Sequence, residues 1–336
     1  MLRLPPIALN RPGSLPEALS ALASEPMTRV LAGGTDLLVT LKHGHHQRPG
    51  EPIRLLSLAD LPLSGIEETQ AGWRLGAGTP LWDLARWRPP PPRSALCAVA
   101  AASRQVAAPP IQSRATLGGN LCLDTRCVFY NQTAFWRSGR PPCFKAGGGV
   151  CHVAPGGDRC HACHQSDLAP VMVALGATAH LRSVNGTREA PMAALYSGKG
   201  DKPVALAASE LLTGVTLPTP PPTAGAAWEK IRMRKGLDFA VASAAVYVEV
   251  GPDGTCSEAR VVLGALGTTP IRVPEGERAL RGTKVEPDAV DAAAEAARRA
   301  ARPMKNVDLT PGYRRQVAGI AVARAARKAW AQARGG

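Results

Sequence analysis

The sequence predicts an α+β fold with two domains, and three observations lead to this prediction. The chain has 336 residues, of which 45% are hydrophobic, and this fraction is large enough for packed cores. At about 150 residues per domain, this length favours two domains. Strand-like and helix-like segments follow one another irregularly, and a proline-rich stretch at 218–222 separates a longer part from a shorter one. We therefore expect a first domain over 1–216, a linker over 217–223 and a second domain over 224–334.

Hydrophobic periodicity and capping residues predict the elements of the first domain. A helix is expected over residues 14–24, because Ser14 is a suitable N-cap and Glu17 lies where a capping box places it. The segment 29–42 is typical of a strand, a glycine turn and a helix. Further elements are expected at 74–78, as a strand, and at 167–181, as a helix followed by a strand.

The second domain is expected to contain a strand pair and two helices. The strands are predicted over 239–250 and 260–266, and the helices over 287–302 and 311–334. The first of these helices begins with acidic residues and ends with arginines, as the helix dipole favours.

The composition limits the classes of partner. The net charge is +14, from 40 basic and 26 acidic residues, but aromatic residues make up only 4% and offer few rings to stack on bases. The densest basic stretch, near the C-terminus, is typical of a solvated helix face or a docking surface for acidic partners. No apolar run reaches about 18 residues and no export signal is found, so we expect a cytoplasmic protein without membrane or nucleic-acid partners.

Two glycine turns are candidates for binding a phosphate group. The first, Ala32–Asp36, lies where a predicted strand meets a helix, and the second comprises Thr116–Asn120. Glycines let a ligand approach the backbone, and N–H groups at a helix start favour an anion. Neither turn is a Walker loop or a G-x-G-x-x-G fingerprint. Either turn alone is compatible with a purely structural role, whereas the two together favour a bound dinucleotide.

The cysteines indicate a metal centre. Six of the eight lie in one segment, namely Cys122, Cys127, Cys143, Cys151, Cys160 and Cys163. Without an export signal, this density favours a metal over disulfides. Four thiolates can hold one zinc ion or one 4Fe–4S cluster. Structural zinc usually shows two C-x2-C pairs and only one is present here, so the spacing favours the cluster, with zinc as the alternative.

Other side chains receive simpler interpretations. Four aromatic residues are expected to shield the metal centre from water, namely Phe129, Tyr130, Phe135 and Trp136. The histidines at 43, 45 and 46 are expected in a solvated loop after the helix that follows the first glycine turn, with metal binding as the alternative. No Ser/His/Asp arrangement or carboxylate pair suggests hydrolytic chemistry, so we assign no catalytic residue.

The glycine turns also carry a family resemblance. Together with Ser166–Pro170, they resemble the flavin subunits of the molybdenum hydroxylases, such as xanthine dehydrogenase and carbon monoxide dehydrogenase. The resemblance implies an FAD-binding domain of two subdomains, followed by a smaller C-terminal domain of the carbon monoxide dehydrogenase flavoprotein type. It also implies that Asp167 contacts the ribose or phosphate region and that Lys230 reaches toward the isoalloxazine. The implied FAD-binding residues are Leu31, Ala32, Gly33, Gly34, Thr35, Asp36, Leu37, Leu38, Val106, Thr116, Leu117, Gly118, Gly119, Asn120, Asp167 and Lys230.

The cysteine segment carries a narrower resemblance. Cys127–Gln132, Trp136–Gly139 and the cysteines that follow are similar to the flavin subunits of 4-hydroxybenzoyl-CoA reductases, whose extra loop holds a 4Fe–4S cluster. The resemblance implies an insert at about 122–165. Its implied cluster ligands are Cys127, Cys143, Cys151 and Cys160, with Cys122 and Cys163 as bystanders; the C-x2-C pair Cys160/Cys163 leaves a set that includes Cys163 as the alternative.

These resemblances imply an electron-transfer subunit that acts with partners. The implied partners are a large molybdopterin-binding subunit and a small 2Fe–2S subunit, arranged as a dimer of heterotrimers, with ferredoxin as electron donor. The implied reaction removes the phenolic hydroxyl of 4-hydroxybenzoyl-CoA reductively, with electrons passing from 4Fe–4S through FAD and 2Fe–2S to molybdenum. One alternative is the flavin subunit of a related hydroxylase acting on another CoA ester or an N-heterocycle. An alternative of another class is a zinc-stapled nucleic-acid-binding or scaffold protein.

Overall fold

The computed structural model describes residues 2–25, 27–47, 50–91 and 94–335. The described helices are α1 (Leu15–Ser24), α2 (Leu37–Lys42), α3 (Leu81–Arg86), α4 (Cys97–Arg104), α5 (Pro109–Gln112), α6 (Leu117–Leu121), α7 (Ala134–Ser138), α8 (Leu168–Ala174), α9 (Pro274–Leu280), α10 (Pro287–Ala300) and α11 (Pro311–Ala333). The described strands are β1 (Ile7–Asn10), β2 (Arg29–Leu31), β3 (Ile53–Ser57), β4 (Ile66–Thr69), β5 (Gly72–Gly76), β6 (Thr178–Ser183), β7 (Gly186–Pro191), β8 (Leu211–Leu217), β9 (Ala224–Ile231), β10 (Ala242–Val250), β11 (Cys256–Gly264) and β12 (Ile271–Arg272).

The strands form three sheets. A small parallel sheet has the order β1-β3-β2, and an antiparallel sheet has the order β4-β5-β8-β6-β7. The C-terminal region contributes a four-stranded antiparallel sheet, β12-β11-β10-β9, on which α10 and α11 pack. The predicted α+β class is therefore confirmed.

The cores are built from small and medium apolar side chains, as the low aromatic content requires. One cluster of buried side chains extends from the five-stranded sheet to β9, β10 and β11, and it joins the N-terminal and C-terminal regions. A second cluster lies between the four-stranded sheet and the last two helices. At Gly225 a Cβ atom would lie 2.0 Å from the carbonyl oxygen of Ala329, so the glycine lets α11 lie directly on β9.

The predicted elements are found with small shifts at their ends. The first helix begins at Leu15, and the Ser14 hydroxyl accepts the Glu17 N–H at 3.4 Å. The Glu17 carboxylate accepts the N–H of Gly13 at 2.7 Å instead of that of Ser14, so the capping box is displaced by one residue. In the described ranges, no helix has the apolar length needed to cross a bilayer.

The cysteine-rich segment lies between α6 and α8. Residues 122–165, which the structure describes throughout, contain the short helix α7 and no strand. Isolated bridges pair Arg126 with Cys163 and Cys143 with Val150. The segment is therefore a loop folded on itself, beside the second glycine turn.

Candidate functional site

The first glycine turn packs against the residues that directly precede the second. A Cβ atom on Gly33 would lie 1.7 Å from the carbonyl oxygen of Arg114, just before the second turn, so only glycine fits there. Gly34 adopts a φ of 74°, in the left-handed region that favours glycine. The first turn therefore connects β2 to α2 and packs on the chain that leads to α6.

The first turn offers donors for an anion. Within the described part of the chain, the backbone N–H groups of Gly33 through Asp36 have no hydrogen-bond acceptor. Asp36 precedes α2, but its side chain makes no capping hydrogen bond. Consecutive free amides at a helix start bind phosphate groups, so this turn fits the diphosphate of a dinucleotide.

The second turn is linked to the segment that contains Asp167. Thr116 caps α6, with its hydroxyl accepting the Gly119 N–H at 3.1 Å. The buried Asn120 accepts the Ser166 hydroxyl at 2.7 Å and the Leu168 N–H at 3.2 Å. Asn120 therefore holds the start of α8 next to the second glycine turn.

A buried ion pair joins this segment to the C-terminal region. The Lys230 ammonium, on β9, lies 2.6 Å from the Asp167 carboxylate, and the side chains are 1% and 6% exposed. Lys230 also donates to the carbonyl oxygen of Gln105 at 3.1 Å, next to Val106. Burial raises the pKa of Asp167, and Lys230 opposes that rise. Asp167, Lys230 and Val106, which are distant in sequence, are thus neighbours.

One residue of this region was missed by the sequence analysis. Arg126 forms an ion pair with Asp36, and its guanidinium lies 5.2 Å from the centre of the Phe239 ring. The only sequence signal is its position directly before Cys127, and that position does not indicate which group it contacts.

Four thiols line one small cavity in the insert. They belong to Cys127, Cys143, Cys151 and Cys160, and three of them are buried. Burial raises the pKa of Cys127, with Cys143 and Cys151 adding to the rise, and it raises the pKa of Cys160 to about 11. Across the described ranges, no three His, Cys, Asp or Glu side chains converge as ligands of a single metal ion. The four thiols therefore line a cavity without being arranged as the ligands of a single metal ion.

The other two cysteines of the segment lie outside this cavity. The buried Cys163 sulfur contacts the Arg314 guanidinium at 3.6 Å and the Gln165 amide at 3.5 Å. Burial raises the pKa of Cys122 to about 12. Neither residue lines the thiol cavity.

A buried lysine stands beside the thiol cavity. The Lys145 ammonium donates to Asp124 at 2.5 Å, to the Thr125 hydroxyl at 2.8 Å and to the carbonyl oxygen of Gly200 at 3.1 Å. A Cβ atom on Gly200 would lie 3.0 Å from the Cys160 sulfur. Lys145 thus fixes a distant loop against one of the four thiols.

Two expectations about the surroundings of the cavity are wrong in part. Phe129 and Tyr130 line it, but Phe135 is 89% exposed and does not shield it, because α7 packs through Ala134 on Gly44. His45 is buried rather than solvated. Its ring lies 4.2 Å from that of Tyr130, and burial lowers its pKa to about 3.

A basic cleft adjoins the cavity. It has a volume of about 620 Å³, and the arginines that line it are Arg159, Arg272, Arg299 and Arg302. Arg272 is paired with Glu277, whereas Arg159 and Arg302 have no carboxylate partner in the described part of the chain. His161 lines both the cleft and the thiol cavity.

Comparisons with known proteins identify related families for both parts of the chain. Residues 5–220 match the family described as the FAD binding domain in molybdopterin dehydrogenase, and residues 226–329 match the CO dehydrogenase flavoprotein C-terminal domain. The chain is 32% identical to the aldehyde oxidoreductase FAD-binding subunit PaoB of Escherichia coli K12, over 79% of this chain and 82% of that protein. It is 26% identical to the putative xanthine dehydrogenase FAD-binding subunit XdhB of the same organism, over 85% and 83%.

A solved structure extends the similarity to nearly the whole chain. The match is to the reconstituted CO dehydrogenase from Oligotropha carboxidovorans, with a TM-score of 0.77 and 27% identity. It covers 98% of this chain and 99% of that chain. The fold of this chain is therefore shared with that CO dehydrogenase chain over nearly its whole length.

Proposed function

The chain belongs to the FAD-binding subunits of the molybdenum hydroxylase family, and from this premise we propose that it is the flavin subunit of a 4-hydroxybenzoyl-CoA reductase that also holds a 4Fe–4S cluster. Family membership makes it an oxidoreductase flavoprotein subunit, and it does not favour a zinc-stapled nucleic-acid-binding or scaffold protein. We propose the domain boundaries expected from the sequence, with the insert at about 122–165.

The observation that carries the proposal is the shared cavity of Cys127, Cys143, Cys151 and Cys160. These four are the ligands that the narrower resemblance implies, and they surround a space without converging as ligands of one ion. Four cysteine thiolates are the usual donor set of an iron–sulfur cluster, so the residues present fit it. Phe129 and Tyr130 line the cavity with aromatic rings.

The flavin site is proposed on the two turns and the buried ion pair. The free amides of Gly33 through Asp36 would hold the diphosphate, with Thr116–Asn120 as the second wall. Lys230 would be held in place by Asp167 beside Val106. When bound, FAD exchanges two electrons and passes them on singly, and an iron–sulfur cluster carries one electron at a time.

The partners are proposed by resemblance and by charge. A large molybdopterin-binding subunit would hold the substrate, and a small subunit would hold 2Fe–2S clusters, in a dimer of heterotrimers. Ferredoxin is the proposed donor. An acidic ferredoxin suits the net charge of +14 and the basic cleft, which shares His161 with the thiol cavity.

The experiment is metal analysis of the complex purified without oxygen. Cys143→Ala should lower the iron content by about four per flavin subunit, whereas Cys122→Ser, whose thiol lies outside the cavity, should leave it unchanged. Equal iron in both variants, or a wild-type complex that holds zinc instead of these four irons, would refute the cluster.

The substrate needs a separate test. The whole complex should reduce 4-hydroxybenzoyl-CoA with a low-potential donor. Turnover of an N-heterocycle or of another CoA ester instead would favour the related hydroxylase.

A further inference from the structure

We propose that Arg126, which comes from the cysteine-rich insert, binds the diphosphate of the dinucleotide together with the first glycine turn. This inference rests on the flavin site proposed above and adds to it a residue from outside the two turns. It also makes the insert part of the flavin site.

The position of the guanidinium supports this role. Arg126 forms an ion pair with Asp36, the last residue of the first turn, and its side chain is only 15% exposed. Asp36 does not cap α2, so its carboxylate is directed to the arginine and not to the helix start. The guanidinium therefore lies at the same turn as the unsatisfied amides of Gly33 through Asp36.

Part of the guanidinium has no partner. Its Nε atom is buried and makes no hydrogen bond within the described part of the chain. A buried donor on a charged group is costly unless an acceptor is supplied. A diphosphate at this turn would supply one, and charge-assisted hydrogen bonds are about twice as strong as neutral ones.

The charge at the turn leads to the same conclusion. The Asp36 carboxylate alone would repel a diphosphate bound to the neighbouring amides. Arg126 cancels that charge, so the turn presents free N–H groups without a net negative side chain. The arginine thus removes a repulsion and adds a donor.

The backbone of Arg126 is fixed, so the side chain starts from a defined place. Its N–H donates to the carbonyl of Cys163 and its carbonyl accepts the N–H of Cys163, both at 2.7 Å. Phe239 lies against the guanidinium at 5.2 Å. Because Arg126 directly precedes Cys127, a disturbance of the insert would reach the flavin site through one peptide bond.

The test is FAD binding by the whole complex from which flavin has been removed, followed by flavin fluorescence. Arg126→Gln should weaken FAD binding at least about 10-fold, and Arg126→Lys should weaken it less, because it keeps the charge. Arg140→Gln is the matched control, because it removes the same charge from the same insert, where Arg140 lies over the Trp136 ring. It should bind FAD as the wild type does.

A second substitution separates electrostatics from folding. Adding Asp36→Asn to Arg126→Gln removes the repelling carboxylate and should restore part of the affinity. The inference is overturned if Arg126→Gln binds FAD like the wild type, if Arg140→Gln loses as much, or if Asp36→Asn restores nothing. A wild-type complex that takes up no FAD would instead refute the proposed function.

Discussion

Removing the Lys230 ammonium should destabilise the protein strongly, because it leaves the Asp167 carboxylate buried without its partner. The two side chains are 1% and 6% exposed, and their charged atoms lie 2.6 Å apart. Breaking a buried pair from one side costs about 3–5 kcal/mol, since the remaining charge is neither paired nor hydrated. We expect Lys230→Met to lower the free energy of unfolding of the flavin-free protein by that amount at pH 8.

The loss of unfolding free energy in Lys230→Met should depend on pH. Burial raises the pKa of Asp167, and without Lys230 to oppose it the pKa rises further. A carboxyl with a higher pKa in the folded protein than in the unfolded chain contributes less stability as the pH rises through the folded value. The deficit of Lys230→Met should therefore be smaller at pH 5 than at pH 8.

The assay is thermal unfolding at both pH values, with a control lysine on α11 whose partner lies on the same strand as Lys230. Lys328 pairs with Glu229, the neighbour of Lys230, but its side chain is 63% exposed. Lys328→Met should cost no more than about 1 kcal/mol, as exposed pairs do. Equal losses in the two variants, or a loss in Lys230→Met that does not change with pH, would show that the buried ion pair does not stabilise the fold in this way.

Three further predictions concern the insert and its surroundings. Lys145→Gln should lower the reduction potential of the proposed cluster and Asp124→Asn should raise it, because the two side chains carry opposite charges. Potentiometric titration followed by electron paramagnetic resonance measures both potentials. Shifts of the same sign would contradict this prediction. Arg302→Gln should slow reduction by an acidic ferredoxin about 10-fold at low salt, but it should not slow reduction by dithionite. Arg327 is exposed and lies outside the cleft, so Arg327→Gln should change neither rate. Equal effects of the two substitutions would argue against docking at the cleft. Burial lowers the pKa of His164 to about 4, so as the pH drops from 6.5 to 4 this histidine is protonated in the unfolded chain but not in the folded protein. The free energy of unfolding should therefore fall by about 3 kcal/mol over that range. His164→Phe should flatten that dependence in equilibrium unfolding, and an unchanged slope would show that other groups cause it.

The features predicted correctly from the sequence are those set by local chemistry. The first glycine turn was predicted correctly, because Gly34 adopts a positive φ and a Cβ atom on Gly33 would collide with the Arg114 carbonyl. The second predicted turn is wrong in part, because Leu117–Asn120 belong to the helix α6, which Thr116 caps. The start of α1 was predicted from Ser14, whose hydroxyl accepts the N–H of Glu17 three residues further on. Signals of this kind need no knowledge of the tertiary fold.

The features that were missed depend on contacts between distant segments. Arg126 contacts Asp36, which precedes the insert, and Lys145 contacts Gly200, which follows it. Both contacts depend on how the insert folds against the rest of the protein. The insert has no periodicity from which side-chain direction can be inferred, so Phe135 was placed inward although it points to solvent. His45 was placed in solvent because its cover, Tyr130, comes from the insert.

We propose that the cysteine-rich insert holds an iron–sulfur cluster beside a flavin site. The Mössbauer spectrum of the iron-57-labelled complex, purified without oxygen, distinguishes this cluster from the 2Fe–2S clusters of the small subunit. We expect a 4Fe–4S signal that disappears in Cys143→Ala while the 2Fe–2S signals remain. A wild-type spectrum with 2Fe–2S signals alone would contradict it.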